Sequence, residues 1–233
     1  MADSTTAAAP EPSGHRLFAQ MDRAVHRRPG WAASISMSSA RSTYYETGNG
    51  ENTRGWHTGN GMTYWWGQDY GNDHYSDGFW STVDPCRLTG TTVSRKPLAD
   101  EEGGLWGASR PAMLWAGGAT DGHYAAVGQD VRGLSSYLEG KKSWFCLDEM
   151  IACLGAGIYS SDGFTVRPQS TTATWDRQAH TPWSSTAASA TPNRARPAST
   201  EMPGTPPPRA SEATCSLVEP MCTCCARAAP RTA

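Results

Sequence analysis

The sequence predicts an all-β protein, an incomplete antiparallel β-sandwich with disordered segments at both ends. Three observations predict it. Short apolar or alternating runs recur between clusters of Gly, Asn, Asp and Pro. No amphipathic segment of helical period extends beyond about three turns. The composition also breaks near Val166, after which Ile, Phe, Tyr and Lys are absent.

Taken in chain order, the opening "MADSTTAAAPEPSG" has neither the basic start nor the apolar stretch of a secretory signal. Residues 1–14 are read as a disordered leader with no export address of their own. Residues 15–166 carry the sandwich. Its strand candidates are "WAASISMSS" (31–39), "GMTYWW" (61–66), "GLWGASRPAMLW" (104–115), "HYAAVGQDV" (123–131), "KSWFCLD" (142–148) and "EMIACLGAGI" (149–158). Runs of this length, rich in aromatics and bounded by turn residues, suit strands better than helices. The last two predict a hairpin reversing near Asp148 and Glu149, because two apolar runs flank a short acidic pair. Many short strands with Gly-rich turns indicate a sandwich or barrel, and about 150 residues suffice for its core. Residues 167–233 hold 10 of the 16 prolines and read as a disordered Pro/Ala/Thr/Arg-rich tail, too poor in apolar side chains to offset the entropy of ordering.

Bulk properties narrow the function. The 233 residues allow one large domain or two small ones. Hydrophobic residues make up 38% and mean hydropathy is −0.55, low enough to leave part of the chain unfolded. A net charge of −2 argues against nucleic acid or an anionic membrane surface as partner. No run approaches the ~18 apolar residues of a membrane span. Seven cysteines without regular spacing do not form a disulfide framework, and Cys215, Cys222, Cys224 and Cys225 lack the paired spacing of a zinc site.

Residues 45–66, "YETGNGENTRGWHTGNGMTYWW", combine five glycines, three tryptophans, three asparagines and two glutamates with almost no aliphatic side chain. Such a stretch is too polar for a core and too aromatic for a linker. It is built to present side chains.

From Phe18 to Val166 the chain resembles the central β-domain of polysaccharide lyase family 8, the bacterial hyaluronate, chondroitin AC and xanthan lyases. The resemblance is carried by "MDRAVHRRPGW", "SMSSARSTYYE", "NGENTRGWHTGNGMTY", "YSDGFWSTVDPCRLTGTTV", "KKSWFCLDEMIACLGAGI" and "SSDG", in that order. Departures from the family pattern fall at Asn60 (usually Asp), Cys86 (usually Tyr), and Ser81 and Thr89 (usually Pro). The family's sandwich continues past the position of Val166 and is preceded by an α/α toroid. The abrupt tail is therefore expected to mark a shift of reading frame near Val166, together with a lost upstream part.

The resemblance implies β-elimination on an anionic, uronic-acid polysaccharide outside the cell, with no cofactor and no metal. The proton removed lies beside a carboxylate whose charge must be neutralised first. A base then takes the proton and an acid protonates the leaving oxygen. By resemblance a toroid Asn, His and Tyr supply these groups, so this chain alone is expected to be inactive. From the β-domain, Glu46 is expected to hold a toroid Arg or His in place, in a supporting role, and Asn49 to hydrogen-bond the sugar. Each has a plainer alternative. Glu46 pairs with Arg41 across a loop, or Asn49 is a left-handed turn residue between two glycines. Trp56, Trp65 and Trp66 either stack on sugar or pack internally, with Trp56 the wettest and the one assigned to substrate. Glu51 and Asn52 are read as loop-fixing. His57 and His74 match no metal-ligand spacing and are read as structural. "RAVHRRP" (Arg23–Pro29) is a basic patch read as a solvated or domain-contact face. The rival to the lyase reading is a non-catalytic carbohydrate-binding or scaffold sandwich.

Overall fold

A computed structural model describes residues 9–67, Tyr75, 78–169 and the backbone of 224–227. Most of the tail predicted to be disordered, the start of the leader, and His74 lie outside the described residues.

Two antiparallel sheets face each other. The first joins β1 (Gly14–Phe18), β2 (Arg23–Arg28), β3 (Trp31–Ser36) and β4 (Met62–Gly67) in sequential order. A short strand, β5 (Thr92–Ser94), follows. The second sheet contains β6 (Ala116–Thr120), β7 (Ala125–Arg132), β8 (Glu139–Cys146) and β9 (Met150–Tyr159). Then β10 (Val166–Pro168) pairs with β5, and β11 (Cys224–Arg227) adds to the second sheet beside β9, giving the order β11-β9-β8-β7-β6. β1 lies beside β6 of the second sheet, and the His15 amide donates to Gly122 O, in the turn after β6, at 2.8 Å.

Side-chain alternation builds the first sheet. Along β2, Ala24, His26 and Arg28 are buried in alternation, and along β3 so are Trp31, Ala33 and Ile35. The β2–β3 reversal takes only Pro29 and Gly30. Proline presets the first central position, and Gly30 supplies the positive φ of 84° at the second. From the second sheet, Val127, Trp144, Cys146 and Ile151 meet Ile35 and Met37 to close the core. Trp144 is fully buried, and its ring lies where a Cβ at Gly61 would stand, 2.7 Å away. Only glycine fits there, both for space and for its φ of 83°.

The predicted strands over 31–39, 61–66, 123–131, 142–148 and 149–158 appear as β3, β4, β7, β8 and β9, and β8 reverses into β9 around Asp148 and Glu149. The run at 104–115 is a correction. It coils as a loop, with Trp106 and Gly107 at φ 51° and 64°. An extended strand cannot hold such angles. The basic patch at Arg23–Pro29 is mostly β2. Its Arg28 side chain is buried, ion-paired with Asp148 at 3.4 Å and donating to His123 O.

Candidate functional site

Residues 44–58 and 99–109 form two loops that lock together beside the sandwich. Thr47 N donates to Gly104 O at 2.9 Å, and Trp106 N donates back to Thr47 O at 2.9 Å, a short parallel bridge between Thr47 and Leu105. Tyr45 lies over Gly104 and its hydroxyl donates to Glu102 O at 3.0 Å. Beneath them Tyr44, Tyr45, Trp56 and Leu134 form a second apolar cluster. The loops therefore rest on a packed base of their own.

At the outer edge the chain reverses through Asn49 and Gly50, with φ 54° and 76°, and Glu51 N donates to Gly48 O at 2.9 Å. This is the Asn-Gly turn in which both central residues take positive φ. Asn49 is thus the turn residue of the plainer reading, and that turn sets its side chain at an exposed tip. Asn52 also has positive φ, and its amide donates to Glu46 O at 2.7 Å, the loop-fixing part expected of it.

Glu46 is exposed, and among the described residues its carboxylate has no ion-pair or hydrogen-bond partner. The alternative pairing with Arg41 does not form. Arg41 is held by the Asp22 carboxylate and by the carbonyls of Leu114 (3.1 Å) and Ala116 (2.7 Å).

The three tryptophans divide differently from expectation. Trp65 stacks on Trp31 at 4.4 Å and Trp66 on Tyr64 at 5.9 Å, both internal contacts. Trp56, expected to be the wettest, is only 7% exposed. Its indole N–H is spent on Ala99 O at 3.1 Å, and its ring is packed in the apolar base. The exposed ring of the site is Trp106, at 65%. It lies against Gly48, where a Cβ would come within 2.7 Å of the indole. Sequence reasoning missed Trp106 by placing it in a strand. The readable signal was an aromatic residue among Gly103, Gly104 and Gly107 after an acidic run, the composition already noted at 45–66. The arrangement offers a free carboxylate, an amide at a turn tip and an open indole face on one pair of loops. Carboxylate and amide can bind hydroxyls or a cation, and the indole suits the C–H face of a sugar.

His57 lies in the base rather than at the edge. It is buried, accepts from Asn60 Nδ2 at 3.4 Å, and has Cys86 Sγ at 3.9 Å from Nε2. Burial lowers its pKa to about 4, and burial likewise lowers that of His15 to about 4. The unfolded chain takes up these protons first, near pH 6.5. Stability is therefore complete above that value and lost as pH falls from about 6.5 toward 4, by up to roughly 1.4 kcal/mol per pH unit for each histidine. Thermal melts between pH 7.5 and 5 should show this slope, and a His57→Gln variant should reduce it to the part that His15 carries. An unchanged slope in that variant would show that His57 does not carry the effect.

Residues 13–206 match the family described as polysaccharide lyase family 8, super-sandwich domain. A hyaluronate lyase from Thermasporomyces composti is 63% identical over 164 residues, covering 70% of this chain and 21% of that protein. A xanthan lyase from Bacillus sp. (strain GL1) is 37% identical over 164 residues, covering 70% of this chain and 17% of that protein. Among solved structures, the Streptomyces coelicolor A3 chondroitin AC lyase in complex with chondroitin sulphate superposes with a TM-score of 0.68 at 60% identity, over 70% of this chain and 22% of that one. The chain spans about a fifth of the length of these relatives. With two facing antiparallel sheets and a match over residues 13–206, the chain belongs to polysaccharide lyase family 8, through its super-sandwich domain.

Proposed function

We propose that this chain serves the β-elimination of a uronic-acid polysaccharide outside the cell, as the face of a lyase cleft opposite an α/α toroid. The observation that carries this reading is the exposed Glu46 carboxylate, without a partner among the described residues, on the loops that expose Asn49 and the Trp106 ring. A carboxylate left without a cation is set to hold an Arg or His of the toroid charged and oriented. Asn49 bonds the sugar and Trp106 carries its apolar face. The base and acid come from the toroid, so the super-sandwich domain by itself turns over no substrate.

The test incubates the purified chain with hyaluronan, chondroitin sulfate and deacetylated xanthan and follows the ultraviolet absorbance of unsaturated uronide. No product is expected, and product formation would overturn the inactivity. Affinity electrophoresis through the same polymers should show retardation that Trp106→Ala weakens about tenfold, near 1.4 kcal/mol. Trp106→Phe should retain most of it. Adding the toroid of a relative in trans should restore elimination, with Glu46→Gln lowering the rate while leaving retardation in place. If retardation persists but no toroid restores turnover, the chain is a binding module and the lyase reading fails.

A further inference from the structure

His15 on β1 and His26 on β2 are register partners, so both side chains leave the same face of the first sheet. Both are buried, at 3% and 1% exposure, and their Nδ1 atoms stand 3.3 Å apart. Cys146 ends β8 in the opposite sheet and is fully buried. The donor atoms of the three residues all lie within 4.8 Å of one another. This cluster takes no part in the loop site.

The hydrogen bonds fix where the lone pairs are. His26 Nε2 lies 2.9 Å from the Leu147 carbonyl oxygen, which can only accept, so Nε2 carries the proton and Nδ1 is bare. His15 Nδ1 then donates to it, which leaves His15 Nε2 as a second bare nitrogen. That atom is buried and has no partner among the described residues. Being bare, it can take up the ring proton when His15 Nδ1 turns its lone pair to another partner.

We propose that His15, His26 and Cys146 form a site for a thiophilic d10 cation, with zinc(II) as the ion it fits, fastening one sheet to the other. Two imidazole nitrogens on a tetrahedral zinc, at about 2.05 Å each, stand about 3.3–3.4 Å apart. The Nδ1 pair already has that spacing. A thiolate at about 2.3 Å from zinc stands about 3.6 Å from each nitrogen, and with the donor atoms all within 4.8 Å of one another the sulfur has at most roughly 1.2 Å to close. The Leu147 carbonyl holds the far N–H of His26, as outer partners do for metal-bound histidines, and fixes the ring for binding through Nδ1. On binding, the Cys146 thiol gives its proton to solvent. The His15 proton moves from Nδ1 to Nε2, and two metal–nitrogen bonds replace the hydrogen bond between the rings. A water fills the fourth position. The nearby Arg28 charge is already met by Asp148.

The test uses the full chain with Cys215, Cys222, Cys224 and Cys225 changed to Ser, so that tail thiols do not compete. Cobalt(II) serves as the coloured stand-in for zinc. One equivalent should produce near-ultraviolet thiolate-to-cobalt absorption and the intense visible bands of a four-coordinate ion, and zinc should raise the melting temperature at the same stoichiometry. Cys146→Ser should remove the thiolate band, and His15→Gln or His26→Gln should weaken zinc binding at least a hundredfold. Absence of the band in the parent, or its survival in Cys146→Ser, would overturn the site. If the variants do not fold, zinc X-ray absorption on the parent decides. One sulfur and two imidazoles support the site, and any other ligand set rejects it.

Discussion

Replacing Asp22 with alanine is expected to remove about 3–5 kcal/mol of folding stability, because it strips the partner from a buried charge network. Asp22 is 1% exposed. Its Oδ2 accepts from the hydroxyls of Ser39 and Ser42, both at 2.6 Å, and its Oδ1 from Arg41. The same Arg41 reaches the carbonyls of Leu114 and Ala116, so one carboxylate secures the chain after β3 against the start of β6. Alanine leaves two hydroxyls and a guanidinium without their acceptor. Asparagine keeps the size but turns an amide toward donors, and should fall between. Urea titration reads the effect as a lower midpoint at unchanged slope. A loss below about 1 kcal/mol in the alanine variant would mean that water replaces the carboxylate at little cost.

The second large effect is expected at Trp144. Truncation to alanine should cost about 3–5 kcal/mol, the range for a buried aromatic that leaves a cavity. Its ring has no exposed surface, fills the space that Gly61 leaves open, and lies 5.3 Å from the Lys142 ammonium. A domain is stable by only about 5–15 kcal/mol, so the alanine variant should melt far below the parent. Phenylalanine is the informative partner. The indole N–H has no acceptor among the described residues, so Trp144→Phe discards a buried donor along with part of the ring and should cost much less. Equal losses in the two variants would mean that the lost packing lies in the part of the indole that phenylalanine lacks.

Strands whose inward positions are apolar were legible in the sequence, because alternation is a local signal. β3, β4, β7, β8 and β9 were found that way. β2 hid because two of its inward residues, His26 and Arg28, are polar and find their partners far along the chain, at Leu147 and at His123 and Asp148. The Asn49 turn was readable for a similar local reason, since Asn-Gly favours positive φ at both residues. Trp56 and Trp106 exchanged places for the opposite reason. Which tryptophan is covered depends on how the 44–58 loop meets the 99–109 loop, a contact between segments about fifty residues apart. No pattern within either segment records it.

Asn60 and Cys86 stand twenty-six apart in sequence, yet both touch His57. They therefore act on one ring and form a single unit in physical terms. An aspartate at 60 would place a negative charge against a ring that burial keeps neutral, and would draw a proton onto it. Changing residue 60 alone, without its neighbour at 86, would alter only one side of that ring's surroundings. The two positions should be non-additive in a double-mutant cycle.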